Sequence, residues 1–167
     1  MEPRMVLAQA ADRDLVIDMM EESCLWLQSR GQEHWTPGML RDKPWLVGDR
    51  IQEGTVYLLH VDESVAGTIT LQPDDEEIWG EQPPIGVYVL GLTTARAFAG
   101  RRLGRWMLDW AAEQCRLAGR PLLRLDCTAK NKKLCRYYEA AGFHFIGTTA
   151  AGPEDVRALF QKTVAVE

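Results

Sequence analysis

Long uninterrupted apolar runs are missing from this 167-residue chain. No window approaches the roughly 18 consecutive apolar residues that a membrane-spanning helix needs. The opening MEPRMVLAQAADRD returns to charge before a signal-like stretch can form. A cytoplasmic protein without a membrane partner is expected. Cysteine and histidine are sparse, four and three in number, and no CxxC spacing occurs. That disfavours both a disulfide framework and a zinc site, so Cys24, Cys115, Cys127 and Cys135 read as reduced residues of core or helix, and no metal is expected. Two phosphate-binding signatures are absent as well, GxxxxGK[ST] and GxGxxG. A P-loop nucleotidase and a Rossmann dehydrogenase are thereby set aside. There is no internal repeat, linker or low-complexity tract, and the length suits one domain spanning 1–167.

One local absence is more informative. The chain carries a formal net charge of -5, yet no acidic residue lies between Gln82 and Leu108. Arg96, Arg101, Arg102 and Arg105 all fall in that interval, inside the stretch FAGRRLGRWMLDW and just ahead of it. Positive charge is concentrated where the rest of the protein would repel an anion.

The elements around that stretch are readable from periodicity. Val16, Met20, Cys24 and Leu27 recur at helical spacing between Asp12 and Arg30, with Gly31 as a stop. Thr36 and Pro37 predict the cap and first turn of a shorter helical stretch, disturbed at Pro44. TVYLLHV and SVAGTITL predict an antiparallel hairpin turning at Asp62 and Glu63, followed by the acidic, proline-bounded loop PDDEEIWGEQPP. Ile85 to Leu92 reads as a buried strand, Arg102 to Ala118 as a helix closed by Gly119, and PLLRLDC as the next strand. Asn131 is placed as the N-cap of a helix ending at Ala141 and Gly142, before the strands FHFIG and VRALFQKTV. The order α, α, β, β, β, α, β, α, β, β is that of an α/β chain containing one βαβ unit.

A strand, a glycine-containing turn and a helix start together form a general anion site. Backbone N–H groups of the first turn have no intrahelical partner, the helix dipole adds about half a positive charge, and flanking arginines match phosphate oxygens. Gly91, near the end of an otherwise apolar strand, marks a bulge or the close approach of a ligand. An amide-bearing arm lying along that strand, with its phosphates at the turn, has the shape of coenzyme A.

Downstream, LRLDCTAKNKKLCRYYEAAGF places Asn131, Leu134, Tyr138, Gly142 and Phe143 in the pattern N-x-x-[A/L]-x-x-x-Y-x-x-x-G-F. With this motif and the element order, the chain resembles the GNAT superfamily of acetyl-CoA-dependent N-acetyltransferases over nearly its whole length. The resemblance implies a mixed α/β fold, with a central sheet of about six or seven strands flanked by about four helices. The acetyl-CoA loop matches less closely. Ala99 stands where the family has Gln or Arg, Arg102 replaces a glycine, Gly104 fits the last position, and Gly100 supplies an additional glycine. Arg102 is expected at negative φ, as in the first turn of a helix, where its side chain meets no steric penalty.

The resemblance further implies direct acetyl transfer from the thioester to a primary amine of a small molecule or peptide. Acetyl-CoA is the co-substrate, held by Leu92, Thr93, Thr94, Ala99, Gly100, Arg101, Arg102, Leu103, Gly104, Arg105, Asn131 and Tyr138. Tyr138 is the candidate proton donor to the leaving thiolate, and Tyr137 reads as a core or rim residue. An oxyanion donor is expected among the backbone N–H groups of Gly91 to Thr93. Asp126, at the carboxyl end of its strand, is the candidate base, with pairing to an arginine or a loop cap as its other reading; Glu33, His34, the acidic loop Asp74 to Glu77 and water compete with it. Glu33, His34 and Trp35 lie in the segment that walls the acceptor pocket in this fold, and Trp35 reads equally as packing. Two other functions stand beside this one: a catalytically silent acyl-CoA-binding or sensing domain, and a small nucleic-acid-binding module using Arg96 to Arg105. The second lacks a broad basic face with interleaved aromatics, so no nucleic-acid partner is expected. A homodimer is compatible with the sequence.

Overall fold

A computed structural model describes residues 2–32 and 35–167; Glu33 and His34 lie outside the described residues. Among the described residues, seven strands hydrogen-bond in the order β1-β2-β3-β4-β5-β7-β6, a mixed sheet accompanied by six α-helices. The chain divides into two compact units, Met1–Thr70 with Gly91–Met107, and Leu71–Leu90 with Leu108–Glu167.

The first unit opens with β1 (Pro3–Leu7), a strand the sequence reading did not foresee. Five residues beginning at a proline carry little periodic signal, and Pro3 is tolerated because β1 has one partner only, β2 (Val56–Val61), in the register Pro3↔Val61 to Leu7↔Tyr57. Helix α1 (Arg13–Ser29) follows a single 3-10 turn and buries Val16, Ile17, Met20 and Cys24, close to the predicted stripe. Gly31 at φ 70 gives the expected stop. The second helical stretch divides around Pro44 into α2 (Met39–Asp42) and α3 (Trp45–Gln52), as its proline foretold. Its start differs: Gly38 at φ 87, not Thr36, stands at the N-cap of α2. β2 and β3 (Ser64–Gln72) form the predicted hairpin, and Asp62 at φ 54 takes the left-handed turn that an aspartate tolerates. Val16, Ile17, Met20, Leu40, Val47, Ile51, Val56 and Leu58 make a contiguous core, against which Trp35 and Met39 pack.

The second unit holds the acidic loop, which carries a turn of helix, α4 (Glu76–Trp79), the first half of β4 (Gly86–Thr94) and most of α5 (Leu103–Leu117). It continues through β5 (Leu122–Thr128), α6 (Lys132–Ala140), β6 (His144–Gly152) and β7 (Asp155–Thr163). β4 and β5 run parallel, completing the expected βαβ unit, and their pairs are Gly86↔Leu122, Val87↔Leu123 and Tyr88↔Arg124. A buried arginine organises the loop ahead of β4. Arg124 donates from Nη1 to Tyr88 Oη (2.8 Å) and Gln82 Oε1 (3.1 Å), and from Nε to Gln161 Oε1 (2.9 Å). Its guanidinium lies 4.9 Å from the ring centre of Trp79. Arg120 adds bonds from Nη1 to the carbonyls of Pro73 and Gly86. These bonds fasten the acidic loop at both ends, which hydrophobic periodicity alone could not indicate.

Candidate active site

The turn before α5 lies wholly in the first unit. β4 ends at Thr94, Ala95 N–H donates to Ala66 O (2.8 Å), and one 3-10 turn (Arg96–Phe98) leads to Ala99. Gly91 has φ 59, a left-handed value inside β4 that suits glycine, and a Cβ there would stand 3.2 Å from Met20 Cε. Gly100 follows with φ 81 and Arg102 with φ 57. The value at Arg102 corrects the expectation of a negative φ. Arg102 precedes the helix, its carbonyl accepting the Trp106 N–H at 3.1 Å, and α5 begins only at Leu103. The chain therefore turns through a left-handed residue immediately before the helix, the geometry for which the family's glycine is suited.

That turn delivers the N-terminus of a 15-residue helix whose first turn contains no acidic residue. Leu103 is buried, Gly104 half-buried, and Ala99, Gly100, Arg101, Arg102 and Arg105 are exposed. Two of the four arginines lie against aromatic rings. The Arg96 guanidinium carbon is 3.6 Å from the centre of the Trp26 ring on α1, which Arg30 also faces at 5.3 Å, and Arg101 lies 5.0 Å from the Phe98 ring centre. Stacking occupies a guanidinium's face and leaves its N–H edge directed outward, so these side chains are ordered without losing their donors. Nothing in the sequence announced Trp26 as the partner of a residue 70 positions away.

The segment beyond α1 is pinned by a buried acid. Glu21, 2% exposed, accepts the Gly38 N–H at 2.8 Å and the Leu40 N–H at 2.9 Å, one on each carboxylate oxygen. Cys24 Sγ donates to the Trp35 carbonyl at 3.0 Å. Trp35 is half-buried against the core of its unit, so one side of it serves packing. A signal for Glu21 was present, since it shares a helix face with Ile17 and Cys24 at spacings of four and three, an unusual place for an unsupported carboxylate.

The second unit carries Asp126, Asn131 and Tyr138. Asn131 is the predicted cap: its Oδ1 accepts the Leu134 N–H at 3.0 Å, at the head of α6. Tyr138 and Tyr137 differ in burial, the first 8% and the second 39% exposed, so Tyr138 is the one that packs into the core and Tyr137 lies at the rim. The Tyr138 ring meets Tyr137, Phe143 and Phe160 with centroid separations of 5.4, 6.1 and 6.0 Å. Burial, assisted by the neighbouring Cys127, Tyr137 and Asp126, pushes the phenol well above its ordinary value. Tyr138 is therefore a protonated hydroxyl at any physiological pH. Asp126 accepts at Oδ2 from Arg157 Nε at 2.8 Å, in an ion pair whose side chains are 12% and 21% exposed. This is the arginine pairing that its second reading named.

Among the described residues no helix is long and apolar enough to cross a membrane. The model of the Acetyltransferase (GNAT) family matches residues 19–143. A Bacillus subtilis (strain 168) protein described as uncharacterized N-acetyltransferase YesJ is 29% identical over 163 residues, covering 93% of this chain and 87% of its own. A GNAT-family acetyltransferase from Listeria monocytogenes 4b F2365 superposes with a TM-score of 0.80 at 26% identity, covering 98% of this chain and 96% of its own. The yncA protein of Salmonella typhimurium, solved with acetyl-CoA, shares the fold with a TM-score of 0.69 at 14% identity, covering 100% and 96%.

Proposed function

Because the chain belongs to the GNAT acetyltransferase family, we propose that it transfers the acetyl group of acetyl-CoA to a primary amine of a small molecule or peptide. The observation that carries this reading is the pair of left-handed residues, Gly100 at φ 81 and Arg102 at φ 57, leading into an acid-free helix start among four arginines. Acetyl-CoA, when bound, supplies the acetyl group as an activated thioester. The residues present fit it. Leu103, Gly104 and Arg105 open α5 with backbone N–H groups oriented along a favourable dipole, and Arg101, Arg102 and Arg105 neutralise phosphate charge. Leu92, Thr93 and Thr94 follow the last β4 residue paired with β5, so their backbone groups are assigned to the amide arm.

Asn131 caps α6 and fixes the helix that bears Tyr138. The Tyr138 hydroxyl holds its proton at neutral pH and is assigned as donor to the departing sulfur. Asp126 has one oxygen committed to Arg157, so we assign the amine's proton to solvent water and give Asp126 the task of orienting Arg157. Calorimetric titration with acetyl-CoA and with an oligonucleotide, followed by thiol release across a panel of amines, tests the whole reading. Saturable acetyl-CoA binding and amine-dependent thiol release are expected. Absence of acetyl-CoA binding in the micromolar range would overturn it, and binding without thiol release on any amine would reduce the protein to an acyl-CoA-binding domain.

A further inference from the structure

Acetyl transfer gives no task to a pair of neighbouring thiols in the second unit. Cys127 on β5 and Cys135 on α6 bring their sulfurs within 3.7 Å of each other. A disulfide bond is about 2.05 Å long, so the sulfurs need to close by only roughly 1.7 Å, a distance on the scale of side-chain rotation with a small helix shift. The two thiols differ in access. Cys127 is 3% exposed, while Cys135 is half-buried and forms part of the wall of a cleft of about 310 Å³, together with Lys132, Arg136, Glu139, Phe145 and Phe160. The remaining cysteines lack this arrangement: Cys24 and Cys115 are buried, with their sulfurs directed to the carbonyls of Trp35 and Leu122.

We propose that Cys135 and Cys127 form an oxidation site of attacking and resolving type, which a peroxide converts to a reversible disulfide. Cys135 meets the oxidant first because it faces the cleft. Its sulfur, as thiolate, attacks one oxygen of hydrogen peroxide, the O–O bond breaks, and the departing hydroxide takes a proton to become water. Cys135 is left as a sulfenic acid. Cys127 Sγ then attacks that sulfur, the S–S bond forms as the S–O bond breaks, and the hydroxyl leaves as water with the proton from Cys127. Two thiols are oxidised by two electrons, and one peroxide is reduced to two waters.

Lys132, Arg136 and Glu139 share the cleft wall with Cys135, so the oxidant meets that sulfur at a polar, partly open surface. Burial first, and the neighbouring Cys135 second, push the Cys127 thiol up to about 12, which keeps it from reacting with peroxide on its own account. The bond would tether β5 to α6 across the Asn131 cap. Reduced acetyl transfer in the oxidised protein is the expected consequence, and that part rests on the function proposed above.

The test uses the full chain, reduced, freed of small thiols and treated with hydrogen peroxide. Mass spectrometry should find the loss of two hydrogens, a peptide joining Cys127 to Cys135, and full reversal by dithiothreitol. Cys127→Ser should accumulate a dimedone-reactive sulfenic acid at Cys135, and Cys135→Ser should give neither product. Absence of the joined peptide from wild type, or stable higher oxidation of Cys135 in its place, would overturn the proposal, and neither readout depends on a variant folding. Thiol release from acetyl-CoA is followed on the same samples. Failure of the reduced protein to release thiol would count against the acetyltransferase reading, while the mass data decide the disulfide independently.

Discussion

The left-handed turn at Arg102 can be tested with two substitutions that remove the same side chain. An L-residue other than glycine at φ 57 carries a steric cost of about 1–2 kcal/mol. Glycine escapes that cost but loses about 0.5–1 kcal/mol more backbone entropy on folding. The difference favours Arg102→Gly over Arg102→Ala by about 0.5–1 kcal/mol. Arg102 is exposed, so truncation itself should matter by at most about 0.5 kcal/mol. For a chain of this size each kcal/mol moves the melting temperature by roughly 2–4 °C. Arg102→Gly should therefore melt about 1–4 °C above Arg102→Ala, with wild type near the alanine variant. Scanning calorimetry at one protein concentration and pH reads the difference. Both variants lose one positive charge, so titration with acetyl-CoA should show equal weakening in the two, about two- to five-fold. A glycine variant no more stable than the alanine variant would refute the left-handed assignment. Unequal acetyl-CoA affinities would refute the separation of backbone from charge.

Four further outcomes follow from other parts of the molecule. Tyr138→Phe should lower kcat about 10²-fold while leaving the acetyl-CoA Kd within about twofold; unchanged turnover would remove Tyr138 from the mechanism. Glu21→Ala strands the N–H groups of Gly38 and Leu40 and should cost about 2–4 kcal/mol in urea unfolding, with a loss below about 1 kcal/mol counting against the two bonds. A Cβ on Gly67 would stand 2.8 Å from both the Thr93 backbone oxygen and Met107 Cε, so Gly67→Ala should destabilise by about 1–3 kcal/mol, because a backbone oxygen cannot rotate aside; a neutral result would contradict that contact. Cys115, fully buried, has its thiol pushed from 9.0 up to about 11 by burial, with Arg120 opposing. Below pH 9 both states keep this proton, and between about pH 9 and 11 only the unfolded state loses it, so stability should fall as pH rises through that window, by of order 2 kcal/mol from this group. Urea titrations across the window should show a shallower fall in Cys115→Ala, and an identical slope would exclude the thiol as its source.

The candidate site was legible wherever its signal was local. The Asn131 cap follows from a position a few residues from the N–H group it serves. The charge gap around the turn before α5 is likewise a property of consecutive residues. Asp126 shows where locality ends: its place at the end of a strand was readable, but Arg157, 31 residues later, reaches it only because β7 lies antiparallel to β5 with Asp126 opposite Leu159. The same limit applies to Trp26 beneath Arg96 and to Arg124, which joins Gln82 of the acidic loop to Gln161 of β7.

The sequence by itself determined the family motif, the order of the longer elements from α1 to β7, the hairpin at Asp62 and the interruption at Pro44, because each depends on residue chemistry repeated or placed within a few positions. Only the tertiary structure decided that Arg102 takes a left-handed turn, that β1 exists, and that Asp126 is spoken for by Arg157. The physical reason is common to all three. A backbone angle, a short edge strand and an ion pair are selected by what distant chain segments bring to them, and an amino-acid string lists those segments without stating which of them meet.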